Sequence, residues 1–121
     1  MQERPLHGKA VLIVEDEYLV ASMMIDSLED AGAKVVGPVS DIHMAADLLG
    51  NPTIRIDHAL LDVNLRGKEV FPLADCLAEK KIPFVFVTGY ECDFIPQRFQ
   101  GAPCLTKPCE PEQVVAVLAR S

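Results

Sequence analysis

Ala10-Val11-Leu12-Ile13-Val14, followed at once by Glu15-Asp16-Glu17, is the stretch on which the fold turns. An apolar run with no polar alternation suits a strand buried on both faces, and the acidic triplet suits its carboxyl end opening into a polar site. The same grammar recurs twice downstream. Ile56 to Asp62 runs through Ala59-Leu60-Leu61 into a carboxylate, and Pro83-Phe84-Val85-Phe86-Val87 ends in Thr88-Gly89-Tyr90.

The intervening segments read as helices. After the first run, Leu19, Val20, Met23, Met24 and Leu28 recur at helical spacing, and Gly32 stands where a left-handed C-terminal cap belongs. Val35 to Val39 supplies a second strand. Ser40 or Asp41 caps the next helix, with Ile42, Ala45, Ala46 and Leu49 on one face and Gly50 and Pro52 ending it. A helix from about Glu69 to Lys80 turns Val70, Ala74 and Leu77 inward. Glu91 to Gly101 is the least regular part; Pro96 interrupts it and Phe94, Ile95 and Phe99 are its large apolar anchors, so a short or distorted fourth helix is expected. Cys104 to Thr106 gives a brief fifth strand before Lys107-Pro108, and Pro111 suits the first turn of a last helix carrying Val114, Val115 and Leu118.

Strict β-α alternation implies an α/β fold: a parallel five-stranded sheet with right-handed crossovers and helices on both faces. Such sheets carry their sites at the carboxyl ends of the strands, beside the topological switch point. Glu15, Asp16, Asp62, Thr88 and Lys107 end strands one, three, four and five, and converge on one rim in this reading.

The 121 residues are read as a single domain, 1–121, without an output domain, so that any output module is expected on another polypeptide. Eighteen acidic against eleven basic residues give a net charge of -7, which disfavours direct binding to nucleic acid or to an anionic membrane. The apolar runs are too short to span a bilayer and the N-terminus lacks a signal-peptide core, which points to a cytoplasmic protein. Cys76, Cys92, Cys104 and Cys109 form no C-x-x-C pair and lie apart in sequence from His7, His43 and His58. Buried, reduced thiols are therefore expected rather than a disulfide or a zinc site.

Glu15, Asp16 and Asp62 brought together repel one another unless a cation shares the site. All-oxygen ligation suits Mg²⁺ or Mn²⁺, with Asn64 able to add its backbone carbonyl to the ion or its amide to a hydrolytic water. Each acid singly can also be read as a helix cap. Thr88 offers a hydroxyl and Lys107 an ammonium to the oxygens of a phosphoryl group, and Asp62 is the candidate nucleophile for an acyl phosphate.

Val14-Glu15-Asp16-Glu17, Leu60-Leu61-Asp62-Val63-Asn64-Leu65, Val87-Thr88-Gly89 and Leu105-Thr106-Lys107-Pro108 together resemble the receiver domain of two-component response regulators over nearly the whole chain. The resemblance implies a flavodoxin-like (βα)5 fold with strand order 2-1-3-4-5. It also implies phosphorylation on Asp62, Mg²⁺ held by Glu15 and Asp16, phosphoryl contacts from Thr88 and Lys107, and a cis bond before Pro108. The implied partners are a histidine kinase or histidine phosphotransfer protein, and a homodimer is admitted. Pro83 to Tyr90 is similar to the Pro-Phe-x-Phe-Ala-Thr-Gly-Tyr signature of a stand-alone bacterial sub-family, with Val87 in place of Ala. Some of those relatives work with kinases of the HWE and related types.

Two departures matter. Where most receivers carry an inward-rotating aromatic on strand five, this chain has Cys104, which cannot act as an aromatic lever; Tyr90 and the segment Glu91 to Gly101 are the alternative carriers of the response. Arg66 replaces a frequent proline, with Gly67 left to make the turn. Another reading is an Mg²⁺-dependent aspartate-nucleophile phosphatase of the haloacid-dehalogenase type, against which stands Asn64 where a second acid is usual. A dinucleotide-binding unit lacks its G-x-G-x-x-G signature after the first strand.

Overall fold

The computed structural model describes residues 4–65, 67–89 and 91–121; Arg66 and Tyr90, on which two of the expectations above fall, lie outside them. The main sheet comprises β1 (Ala10–Val14), β2 (Lys34–Val39), β3 (His58–Asp62), β6 (Phe84–Thr88) and β7 (Cys104–Thr106). It is parallel throughout, in the order β2-β1-β3-β6-β7, which is 2-1-3-4-5 when only its own strands are counted. A two-residue hairpin that the sequence reading did not anticipate, β4 (Asn64–Leu65) with β5 (Lys68–Glu69), follows β3.

Alternation along the central strands feeds two cores. Leu12 and Val14, Ala59 and Leu61, and Phe84 and Phe86 face one side. They pack there with Ala45 of α2 (Ile42–Gly50) and with Phe71, Leu73, Ala74 and Leu77 of α3 (Phe71–Glu79). Val11, Ile13, Leu60, Val85 and Val87 face the other, under Met24 and Leu28 of α1 (Tyr18–Asp30) and Val114 and Leu118 of α4 (Pro111–Ala119). Each fully buried Leu, Ile or Phe contributes roughly 1.5–3 kcal/mol of transfer free energy. Four of the phenylalanines concentrate on the first face, where Phe86 meets Phe71, Phe84 and Phe99 with ring centroids 5.9, 5.3 and 5.6 Å apart.

Several expectations are refined. Of the helically spaced apolar residues of the first helix, Leu19 and Met23 are 78% and 59% exposed, and the buried set is Ala21, Met24 and Leu28. The spacing admits both stripes, and the small Ala21 lets α1 settle against the sheet on the other one. Ala46 of α2 is likewise exposed, leaving Ala45 as that helix's buried residue. The short or distorted fourth helix expected in 91–101 takes the form of two single 3-10 turns, Cys92–Phe94 and Gln97–Phe99. Pro96 separates them, because it has no N–H to continue a helical ladder.

Local chemistry sets the element ends. Asp41, not Ser40, caps α2 by accepting from the N–H groups of His43 and Met44 at 2.7 and 3.1 Å. Gly32 takes φ 94° after α1, and a Cβ there would stand 2.9 Å from the His7 Cα. In β2 the pairing with β1 skips between Leu12 and Val14, a bulge formed at Gly37-Pro38. Gly37, at φ 98°, leaves space that a Cβ would take from the Ile13 carbonyl, 2.9 Å away. The Gly37–Pro38 and Lys107–Pro108 bonds are cis, the second as expected.

The cysteine expectation is overturned. Cys92 and Cys104 form a disulfide, with Cα atoms 6.0 Å apart. Cys76 is exposed and Cys109 half-buried, both as free thiols, so none of the four fits the expected buried, reduced state. Among the described residues no helix is long and apolar enough to cross a membrane.

Candidate functional site

The parallel register brings the strand ends to one rim. β1 hands its chain to Glu15, whose N–H is held by the Val39 carbonyl at 3.0 Å. β3 ends at Asp62, level with Val87 of β6, and Thr88 is paired with Thr106 of β7. The Lys107 N–H donates to the Thr88 carbonyl at 2.7 Å, which fixes where the lysine leaves the sheet.

From that point Lys107 reaches three acids. Its Nζ lies 3.1 Å from Glu15 Oε1, 3.1 Å from Glu17 Oε1 and 3.3 Å from Asp62 Oδ2. Glu15 and Asp62 are 8% and 6% exposed, so these charges face one another with little solvent between them. Glu15 Oε2 also accepts the N–H groups of Asp16 and Glu17 at 3.0 and 3.1 Å, tying the acidic turn to its own carboxylate. Asp62 Oδ1 accepts the Asn64 N–H at 3.2 Å, and Asn64 Oδ1 accepts the Gly67 N–H at 2.8 Å.

One ammonium does not balance these carboxylates. Burial, reinforced by a hydrogen bond with Asp62 and by its charge, pushes Glu15 from its ordinary 4.5 up to about 7, against the opposing pull of the Glu17 N–H and Lys107. Burial alone lowers the pKa of Lys107, but the Asp62 charge and the Glu15 and Glu17 contacts outweigh it and hold the ammonium well above the ordinary lysine value. Lys107 therefore stays charged at any physiological pH.

One ligand oxygen each from Glu15, Asp16, Glu17 and Asp62 lies within 4.8 Å of all the others, a set capable of coordinating a metal. The donors are all hard oxygens, without sulfur or imidazole, which fits Mg²⁺ or Mn²⁺. Asp16, Glu17, Asp62, Asn64, Gly67, Gly89 and Lys107 line an open cleft of about 490 Å³.

Glu15, Asp16, Asp62 and Lys107 thus come together as the spacing anticipates, with Asn64 on the cleft wall. Thr88 stands at the same rim but is 2% exposed, and the cleft lining passes from Asp62 to Gly89 without it. Cys104, at the switch position where most receivers carry the strand-five aromatic, is the register partner of Phe86 and is bonded to Cys92. Glu17 was not singled out as a site residue, although it both contacts Lys107 and joins the acidic group. Its signal was adjacency alone, since a third acid in a row is easily read as the solvated start of a helix.

Comparison with known proteins agrees with this geometry. The solution structure of SdrG from Sphingomonas melonis Fr1 is 42% identical, covers 92% of this chain and 93% of that one, and superposes with a TM-score of 0.77. The non-phosphorylated HemR receiver domain from Leptospira biflexa is 25% identical over 93% of this chain and 92% of its own, with a TM-score of 0.75. The phyllosphere-induced regulator PhyR of Methylorubrum extorquens is 28% identical over 114 residues, 92% of this chain. This chain spans only 42% of the PhyR length. The response regulator receiver domain family matches residues 11–119, from the second residue of β1 to the last of α4. The acidic cluster and its buried lysine ion pair are consistent with the aspartate-phosphorylation, Mg²⁺-type site of that family, whose members act as phosphoacceptors rather than as enzymes on a separate substrate. The match takes in both the doubly covered parallel sheet and its whole acidic rim, and the chain belongs to the response regulator receiver domain family.

Proposed function

We propose that this chain is a response regulator receiver whose Asp62 accepts a phosphoryl group from a histidine kinase or histidine phosphotransfer protein. The observation that carries the reading is the contact of Lys107 with Asp62 and Glu15 at once, inside an acidic cluster. Asp62 attacks the phosphorus of a phosphohistidine; an O–P bond forms as the N–P bond breaks, and the imidazole leaves with the electron pair. Lys107 stays protonated and sits where charge builds on the phosphoryl oxygens. Glu15, Asp16 and Asp62, with the Asn64 carbonyl, are the residues that would hold Mg²⁺ or Mn²⁺, and the bound ion supplies charge neutralisation at the phosphoryl group. Thr88 contributes its hydroxyl to that group after a local shift that uncovers it.

The partners follow from the chemistry: a phosphohistidine donor, and a protein that reads the phosphorylated surface. The likeness to SdrG and the Pro83–Tyr90 segment support placing the chain in the stand-alone Pro-Phe-x-Phe-Ala-Thr-Gly-Tyr group, acting in the cytoplasm through other polypeptides or by moving phosphate. Asn64 weighs against the dehalogenase-type phosphatase, since its side-chain oxygen is engaged by the Gly67 N–H. The test is phosphotransfer from a histidine kinase with Mg²⁺ to wild type and to Asp62→Asn. An acid-stable, Asp62-independent label, or full labelling of the variant, overturns the assignment.

A further inference from the structure

The turn at Cys92–Phe94 is joined to the sheet in an unusual way. It contains no buried residue, and Phe94 is 72% exposed. Its backbone bonds are local, from the Phe94 N–H to Glu91 and from the Ile95 N–H to Cys92. The second turn has a core anchor of its own, Phe99, which is 5% exposed and stacked on Phe71. Cys92 ties the first turn covalently to the sheet: it is bonded to Cys104 on edge strand β7, with its sulfur 3.7 Å from the Thr106 hydroxyl.

Both ends of this tie are close in sequence to the site. Cys92 lies four residues after Thr88 and Cys104 three before Lys107. Both cysteines are partly exposed, so a small thiol can reach them, whereas burial raises the Cys109 thiol and makes it a weaker competitor. We propose that Cys92 and Cys104 are a reversible thiol–disulfide pair that clamps the turn after β6 to the sheet edge, so that oxidation restrains the conformational response to phosphorylation at Asp62. The coupling, though not the clamp, rests on the receiver reading.

The oxidant is a low-molecular-weight disulfide. One cysteine thiolate attacks it, forming a mixed disulfide and releasing one small thiol; the second cysteine thiolate then attacks the cysteine sulfur of that mixed disulfide and releases the other. Two protein thiols lose two electrons and two protons, and one small disulfide becomes two thiols. Reduction retraces these steps.

The experiment equilibrates the full chain in graded mixtures of reduced and oxidised glutathione, quenches with acid, alkylates, and maps the thiols by mass spectrometry. A single transition linking Cys92 to Cys104, absent in Cys104→Ser, is expected, with Cys76 and Cys109 found only as free thiols or as mixed disulfides with glutathione. A bridge that never forms, or that no ratio opens, overturns the proposal. Hydrogen exchange is then followed in both forms, with and without beryllofluoride and Mg²⁺ as a phosphoryl mimic. Reduction should speed exchange at 91–95 about tenfold and leave 97–99 unchanged. The mimic should alter 91–95 in the reduced chain and in Cys104→Ser but not in the bridged form. An equal response in bridged and reduced forms overturns the coupling. No response anywhere, including the residues around Asp62, overturns the coupling through failure of the receiver reading, and the redox titration tells that case apart from failure of the clamp.

Discussion

Glu15→Gln in metal-free buffer isolates the electrostatic strain of the acidic rim. In the folded chain Glu15 releases its proton at about 7 instead of its ordinary 4.5. Between those values the native state binds more protons than the unfolded state, so this group's contribution to stability is full below 4.5 and is lost as the pH rises through 7. At ~1.4 kcal/mol per pH unit the whole shift corresponds to ~3 kcal/mol, and residual screening at this open rim reduces the expected loss to ~1–2 kcal/mol. Glutamine keeps an acceptor for the Asp16 and Glu17 N–H groups but has nothing to ionise. Urea denaturation of both proteins with a chelator at pH 5, 6, 7 and 8 should therefore show wild type losing ~1–2 kcal/mol relative to the variant across that range. Parallel pH profiles would refute the reasoning, as would a wild-type advantage that grows with pH. Mg²⁺ should restore wild-type stability mainly at the alkaline end, where Glu15 is ionised, and should stabilise the variant less.

Lys107→Met leaves Glu15 and Asp62 facing each other without their cation and should cost about 3 kcal/mol in chelator, a deficit that shrinks in thermal melts on adding Mg²⁺. His58, 5% exposed, has neither ring nitrogen hydrogen-bonded; His58→Leu should raise stability by about 1 kcal/mol in urea titration, and a comparable loss would show that the ring is satisfied. Phe86→Ala empties the centre of the aromatic core and should destabilise by about 3–5 kcal/mol in the same assay, without changing the pH slope assigned to Glu15.

The strands were legible because burial on both faces leaves a plain mark. Every residue of β1, β3 and β6 is buried, and each run ends where the chemistry begins. Helical spacing was less informative: α1 carries apolar side chains on more than one stripe, and which stripe is covered depends on the fit against the sheet rather than on hydrophobicity. The acidic rim could be read because strand ends in a parallel sheet share one edge. The Cys92–Cys104 pairing could not, since their closeness arises only when the chain returns from the first 3-10 turn to the edge strand. The β4–β5 hairpin was also missed, because two-residue strands carry no periodicity.

The bulge in β2 has a consequence for how copies of this chain can meet. β2 and β7 are the two free margins of the sheet. Pro38 removes an N–H from the first, where the bulge also breaks the even spacing, and the second is only three residues long with Cys104 tied to a neighbouring turn. Neither margin templates another strand well, so lateral sheet growth and fibre formation are disfavoured. Association, whether with a second copy or with another protein, is thereby directed to the helical faces and to the loops around the rim.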